Sequence, residues 1–429
     1  MSKLQYQQEH TGSYYAATAN HYAPYPALQG AQSADICVIG AGFTGVATAL
    51  TLAERGYSVA IVEGNRVGWG ASGRNGGQII CGISGLAKVR KQHGEGISDL
   101  LWEMKWRGNE LIFDRVKRYG IDCDLKSGYI DVALKKAHLD YLEAEAAEYQ
   151  KRQLPYEYQL LDKQQTRELT GTDTYIGGMT NMRNGHVHPL NLCQGEAHAA
   201  SQLGVQIFEH SAVTEIIHGQ RPRVVTAQGH IDADTVVLAG NAYHALEEKR
   251  LAGLTFPAGS YIIATEPLPQ SIRDEINPRD LAVCDLNEVV DYFRLSVDGR
   301  LLFGGRCNYS GRVPTDIKAA ILPRMLKIYP QLRDYKIDFE WGGNIGIVVN
   351  RVPLLGRING NVWYSQGYSG HGVNATHIMG EVLADAITGS MEKFDLFANM
   401  KHHRIPGSQW VGNQIVALGM LYYRLKDRF

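Results

Sequence analysis

One stretch near the start of the chain limits the possible folds more than any other: Ala34-Asp35-Ile36-Cys37-Val38-Ile39-Gly40-Ala41-Gly42-Phe43-Thr44-Gly45. A short apolar strand runs into G-x-G-x-x-G, and the next apolar strand, 57–62, ends on Glu63. Gly40 permits the sharp turn out of the strand, Gly42 lets backbone N–H groups approach a pyrophosphate, and Gly45 lets the helix lie close on the sheet. Val46, Ala47, Leu50, Leu52 and Ala53 supply the apolar face of that helix, and Gly56 stops it. An acid where Glu63 stands accepts two hydroxyls of an adenosine ribose and repels a 2′-phosphate. The stretch predicts a βαβ unit that binds FAD or NAD, with NADP disfavoured.

The chain is long enough for more than this unit. Its 429 residues, 44% of them hydrophobic, predict two domains or one discontinuous pair. Lys and Arg total 43 against 44 Asp and Glu, a net charge of −1, so no basic field exists to hold nucleic acid. Cys37, Cys81, Cys123, Cys193, Cys284 and Cys307 lie far apart with no C-x-x-C, which predicts neither a zinc site nor a redox pair and fits a reducing cytoplasm. Residues 1–32 are polar and tyrosine-rich, without the basic and apolar regions of a signal peptide. No uninterrupted apolar stretch approaches the roughly 18 residues of a membrane span. Within 410–425, Trp410, Val411, Ile415, Val416, Leu418, Met420, Leu421 and Leu425 fall on one helical face. This predicts an amphipathic helix docked on the protein body, with peripheral contact to a membrane surface as the alternative.

Residues 68–78 form a glycine-rich loop pinned by Trp69 and Ile79-Ile80, in which Arg74 and Asn75 offer donors to a phosphate or a ring carbonyl. Helical patterns at 97–119 and 136–153 flank a strand at 128–134. Residues 160–169 read as a short segment ending in an exposed turn, and 185–192 open a helix running to about residue 203. Strands follow at 205–209, 212–218, 223–227 and 230–233. The continuous apolar run 235–243, which contains Gly240, predicts a strand buried in a parallel sheet. From 258 to 305 apolar and polar residues alternate, predicting an antiparallel sheet completed by a helix at 315–328 and a strand at 338–342. The glycine-rich turn within 361–374 and the apolar helix 375–387 return the chain to the nucleotide domain.

Taken in order, the first βαβ unit, GASGRNGG at 70–77, VVLAGNAY at 236–243 and QGYSGHG at 366–372 resemble the D-amino-acid oxidase-like flavoprotein family over nearly the whole chain. The resemblance implies an α/β fold: a discontinuous Rossmann-like FAD-binding domain beside an α+β substrate domain with a large antiparallel sheet. On that plan 1–33 is an N-terminal arm, and 34–95, 181–256 and 346–395 build the FAD domain. Segments 96–180 and 257–345 build the substrate domain, and 396–429 is a tail with the amphipathic helix. Carried over by motif, Gly40, Gly42, Phe43, Thr44 and Gly45 would hold the pyrophosphate, and Glu63 with Gly64 the ribose. Ser72, Gly73, Arg74, Asn75, Gly76, Gly77 and Gln78 would wrap the phosphates and approach the isoalloxazine. The Val213 backbone would meet the adenine, and Gly240 would give a further close approach. Gly370, His371, Gly372 and Val373 would lie against the flavin at a helix start. Relatives that tether their flavin do so through a cysteine shortly before this last motif; 341–367 contains none, so non-covalent FAD is expected.

Segments 10–26, 185–192, 291–305 and 421–429 are similar to family members that act on gamma-glutamylated amines, which implies FAD-dependent oxidative deamination of such an amine, gamma-glutamylputrescine first among them. The flavin would be reoxidised by molecular oxygen or a quinone. His371 is the expected catalytic residue beside the ring. Arg294, next to Tyr292 on an aromatic strand, is expected to bind a substrate carboxylate, with Arg351 a second candidate. His186 and His188 lack metal partners at ligand spacing, so no metal is expected and His188 is given a structural or substrate-facing role. Oxidation of N-methyl or D-amino acids, and a non-catalytic electron-carrying subunit, are the alternatives.

Overall fold

The computed structural model describes residues 6, 8–308, 314–405 and 414. The first apolar run extends over Gly30–Ile39 and pairs in parallel with Val59–Val62 on one side and Gly229–Leu238 on the other. Its last four residues are buried, as the centre of a parallel sheet covered on both faces requires. The two strands expected at 230–233 and 235–243 are one, Gly229–Leu238, because pairing with Gly30–Ile39 along its full length carries exposed Asp234 through the middle. Among the described residues this sheet has eight strands. Leu354–Ile358, Val362–Gln366, Gly229–Leu238, Gly30–Ile39, Val59–Val62 and Gln206–Phe208 lie side by side, and Arg223–Thr226 with Val213–Ile217 branches from Gly229–Leu238.

Alternation along these strands decides what each face packs on. Ile36, Val38, Ile61 and Val237 meet the apolar faces of helices Phe43–Glu54, Pro189–Gln202 and Gly372–Ile387, with Leu101, Met104 and Ile112 of helix Ser98–Tyr119 closing the layer. Cys37, Ile39, Ala60 and Leu238 face the other way, toward Ile216 and Val224.

The second sheet has nine strands among the described residues. The order is Ile337–Ile347, Phe256–Thr265, Leu301–Asn308, Asp291–Leu295, Ala282–Asp285, Lys126–Ala133, Gly177–His186 and Gln78–Ile79, with Tyr158–Leu161 also on Gly177–His186. All pairs are antiparallel except Ala282–Asp285 with Lys126–Ala133. Ile130, Val132, Ile263, Val283, Phe293 and Phe303 pack beneath helix Ile317–Ile328, leaving Tyr129, Asp131, Cys284 and Tyr292 on the opposite face. Two strands of this sheet show how closely the halves interlock: Gln78–Ile79 comes from the segment carrying the nucleotide motif, and Gly177–His186 runs across residue 180.

The segment 160–169 does not end in an exposed turn. It is the end of strand Tyr158–Leu161 followed by helix Lys163–Thr170, started by a capping box in which Asp162 and Gln165 satisfy each other's backbone N–H groups. The polar N-terminal arm contributes a core plug. Tyr14 and Tyr15 of the short helix Tyr14–Ala17 are buried against Leu190, Ile262, Leu302 and Trp341, and Tyr14 Oη donates to Asp298 over 2.7 Å. The amphipathic helix expected at 410–425 lies outside the described residues except for Gln414. Among the described residues, no helix is long and apolar enough to cross a membrane.

Candidate functional site

A cavity of about 510 Å³ opens where the parallel strands end and runs on to the free face of the second sheet. A broader groove of about 950 Å³, lined by Glu54, Arg107, Glu110, Arg118 and Glu381, is a set of surface ion pairs remote from those strand ends.

The nucleotide motif forms one end of the cavity. Gly40 has φ +106°, and a Cβ on Gly42 would stand 2.9 Å from Ser72 Oγ, which accepts the Phe43 N–H over 2.9 Å. Gly45 faces away from the cavity; a Cβ there would meet the Gly40 carbonyl oxygen at 1.9 Å, so only glycine lets this helix sit on its strand. Glu63 accepts from the Ala41 and Asn65 N–H groups over 2.8 and 2.9 Å. Burial raises its pKa, and those donors oppose the rise. Phe43, Thr44, Gly64, Val213 and Gly240 line the same end. Helices Phe43–Glu54 and Gly372–Ile387 both begin without a side-chain cap, and the first residues of each line this one cavity. Two uncapped helix starts, a cradle that a Cβ would fill and a carboxylate at the ribose position suit an adenine dinucleotide with its negative pyrophosphate.

The loop 68–78 divides its residues between packing and cavity. Ser72, Arg74, Asn75, Gly76 and Gln78 line the cavity, whereas Gly73 and Gly77 do not: added Cβ atoms would lie 2.4 Å from the Gly68 oxygen and 2.2 Å from the Val187 oxygen. Both are held to glycine by packing within the loop and against Val187. The Asn75 amide is used within the loop, donating to Ala71 and Ser72 carbonyls and accepting from Gly77 N–H. Arg74 stacks on Trp69 at 4.2 Å and donates to its carbonyl, and burial lowers the pKa of its guanidinium.

Gly370, His371, Gly372 and Val373 line the cavity at the start of the second helix. His371 has accessible surface, but that surface opens into the cavity, and dense surroundings followed by the charge of Arg351 lower its pKa. Arg351 itself, at φ +64°, directs a guanidinium N–H to the Ser369 carbonyl and lies outside the cavity wall. Its charge reaches the site as the second cause of the lowered His371 pKa.

The expectation for Arg294 is corrected, and His188 takes the structural one of its two expected roles. Arg294 is 3% exposed and donates to the Gly76, Leu295 and Val187 carbonyls and to Tyr15 Oη, over 2.8–3.2 Å. It braces the loop against the second sheet and does not reach the cavity. His188 is the N-cap of helix Pro189–Gln202, its Nδ1 accepting the Asn191 N–H and its Nε2 bonded to Thr18. Burial and then Arg294 push its pKa down to about 3. His186 is likewise buried, with Nε2 on the Asp280 carbonyl. Among the described residues, no group of three or more His, Cys, Asp or Glu is placed to hold a metal ion. Of the residues expected at the substrate, Tyr292 lines the cavity, packed on Gly76.

The sequence reading missed most of the far wall. Tyr129, Asp131, Cys284 and Asp285 come from the second sheet, Lys105 from helix Ser98–Tyr119, and Tyr141, Glu145 and Tyr149 from one face of helix Lys136–Lys151. Burial pushes the Asp131 carboxyl up to about 7, against a hydrogen bond from Tyr129 that lowers it. Asp285 is also pushed up to about 7, by burial and then by Asp291. The available signals were an acid inside the apolar strand 128–134 and the i, i+4, i+8 spacing of Tyr141, Glu145 and Tyr149.

Known proteins are similar to this chain along nearly its whole length. The family model for DAO, FAD dependent oxidoreductase, matches residues 35–386. The chain is 42% identical to gamma-glutamylputrescine oxidoreductase of Escherichia coli (strain K12), over 98% of this chain and 99% of that protein. It is 39% identical to the probable oxidoreductase OrdL of Haemophilus influenzae, over 98% of both. In fold it is similar to glycine oxidase from Geobacillus kaustophilus, with a TM-score of 0.70, 22% identity and coverage of 88% of this chain and 100% of that one. It is also similar to L-alpha-glycerophosphate oxidase from Mycoplasma pneumoniae with FAD bound, with a TM-score of 0.66, 18% identity and coverage of 89% and 98%.

Proposed function

The chain belongs to the DAO family of FAD-dependent oxidoreductases, and from that premise we propose that it deaminates a gamma-glutamylated amine, gamma-glutamylputrescine, to the aldehyde with release of ammonia. The observation that carries this reading is the end-to-end likeness to the Escherichia coli enzyme. The cavity supports it: a nucleotide cradle opens onto a wall of carboxylates and tyrosines suited to an amine. FAD, when bound, supplies the acceptor for hydride from the carbon bearing the nitrogen. The cradle residues Gly40, Gly42, Ser72 and Glu63 would hold its adenosine and pyrophosphate, and the start of helix Gly372–Ile387 its ring. With no cysteine in 341–367, attachment is non-covalent.

The chain's own task is to orient the amine and free its lone pair. A primary amine is protonated at neutral pH, its pKa being about 10. Desolvation in the enclosed cavity disfavours the ammonium form, and His371, whose imidazole is held below its ordinary pKa by its dense surroundings and by Arg351, lines the ring end where it can accept a hydrogen bond from the amine and orient it. Orientation of the reacting C–H bond then does the larger share of the work. The cavity argues against a purely electron-carrying subunit.

An anaerobic amine screen on the purified yellow protein, followed by admission of oxygen and peroxide detection, tests the reading. Gamma-glutamylputrescine is expected to bleach the flavin. Bleaching by D-amino or N-methyl amino acids, with gamma-glutamylated amines inert, refutes the proposal, and the peroxide yield separates oxygen from a quinone as acceptor.

A further inference from the structure

The cavity extends well past the cofactor cradle, and its far end has a charge pattern of its own. Lys105 Nζ donates to Glu145 Oε2 over 2.6 Å and lies 4.7 Å from the centre of the Tyr149 ring. Beside this pair stands Asp131, whose Oδ1 accepts from Tyr129 Oη over 2.7 Å and which, among the described residues, forms no ion pair. Tyr141 is 54% exposed, yet the surface it exposes lines this cavity. One cation, two carboxylates and phenol hydroxyls thus converge from three elements on an enclosed space.

The register gives the distance of this cluster from the ring end. Asp131 is level with Cys284 and Cys284 with Tyr292, which packs on Gly76 of the cofactor loop. Two strand spacings separate Asp131 from Tyr292, about 10 Å. In a gamma-glutamylated four-carbon diamine the reacting carbon and the glutamyl α-carbon are eight bonds apart, roughly 9–10 Å when extended.

We infer that the Lys105–Glu145–Asp131 cluster is a zwitterion subsite, in which Lys105 binds the α-carboxylate of the glutamyl group and Asp131 with Glu145 binds its α-ammonium. This inference rests on the activity proposed above. It assigns substrate selection to the end of the molecule remote from the chemistry. The Asp131 carboxyl, lifted by burial, ionises fully when the ammonium arrives, and Lys105 exchanges part of its bond to Glu145 for the substrate carboxylate.

Three compounds test it: gamma-glutamylputrescine, glutarylputrescine, which lacks the α-ammonium, and 4-aminobutyrylputrescine, which lacks the α-carboxylate. With the FAD-loaded wild-type protein, kcat/KM is expected to fall about 10- to 100-fold for each truncated compound, the range of one charge-assisted hydrogen bond. Asp131→Asn is expected to lose about the same factor on gamma-glutamylputrescine through KM, with little change on glutarylputrescine. Lys105→Met should show the matching pattern on 4-aminobutyrylputrescine. Equal efficiency of the wild-type protein on all three compounds overturns the subsite while leaving the activity standing, and this arm needs no variant to fold. Equal losses on every compound in Asp131→Asn overturn it as well. If no gamma-glutamylated amine bleaches the wild-type flavin, the activity itself falls and the subsite with it.

Discussion

Removing the Glu196 carboxylate probes how the two helix starts beneath the cofactor cradle are kept in register. His377 Nε2 lies 3.0 and 3.1 Å from the two Glu196 oxygens, and His377 Nδ1 lies 2.6 Å from the Val373 carbonyl. The ring thus bridges a carboxylate on helix Pro189–Gln202 and a backbone carbonyl on its own helix. Arg115 Nη1 reaches the same carboxylate over 3.4 Å; Glu196 and His377 are 0% exposed and Arg115 2%. Glu196→Ala leaves Arg115, among the described residues, with only the longer ion pair to Glu54, 3.9 Å away, and removes the carboxylate from His377; breaking a buried pair in this way costs about 3–5 kcal/mol. Glu196→Gln keeps the shape and the hydrogen-bonding reach but removes the charge, so the loss is that of one charge-assisted bond, about 1.5–3 kcal/mol. Urea unfolding of the FAD-loaded protein should therefore rank wild type above Gln above Ala. Burial alone would raise the Glu196 pKa, but His377 and Arg115 outweigh it and hold it below its ordinary 4.5. A depressed carboxylate stabilises fully above its unfolded pKa and loses that contribution as pH falls through the folded value. The wild-type advantage over Gln is thus complete at neutral pH and closes in acid below 4.5. An Ala variant as stable as wild type, or a gap that does not change into acid, refutes the reasoning.

Arg294→Ala strands two buried carbonyls and one part-buried one and should lower stability by at least about 2 kcal/mol and weaken FAD retention, with KM for the amine nearly unchanged. A raised KM in a fully stable, fully loaded variant would restore Arg294 as a carboxylate ligand. Asp285 is lifted from its ordinary 3.8 to about 7, so the stability it allows at low pH is lost as pH rises between those values. Asp285→Asn should gain on wild type in thermal melts across that window and hold a constant lead at higher pH; a lead independent of pH would contradict it.

The legible parts of the site were those whose chemistry is written in contiguous residues. A backbone cradle needs glycine at fixed spacing and an acid at the end of the next strand, so Gly40, Gly42, Gly45 and Glu63 could be assigned from order alone. Arg294 and His188 could not, because the direction of each depends on partners from distant segments. Tyr15, Gly76 and Val187 surround Arg294, and Thr18 meets His188. The far wall was hidden for the same reason: Lys105, Asp131, Glu145 and Asp285 share a cavity only after the second sheet joins Ala282–Asp285 to Lys126–Ala133 in parallel. Helix Lys163–Thr170 was a different kind of miss, since Asp162 and Gln165 spell a capping box that can be read directly.

The order of the parallel sheet also sets a timetable for the growing chain. Gly30–Ile39 lies against Gly229–Leu238, which lies against Val362–Gln366, so the cradle is incomplete until synthesis has passed the last of these. At about 5–20 residues per second, that wait is roughly 20–70 s. Throughout the first part of it Gly30–Ile39 has an unpaired edge, the usual template for misassembly. Tyr15 must wait comparably for Arg294, 279 residues downstream. Cofactor loading therefore waits on a strand made more than 300 residues after the glycine motif, and an early aromatic plug finds its place only after a late arginine.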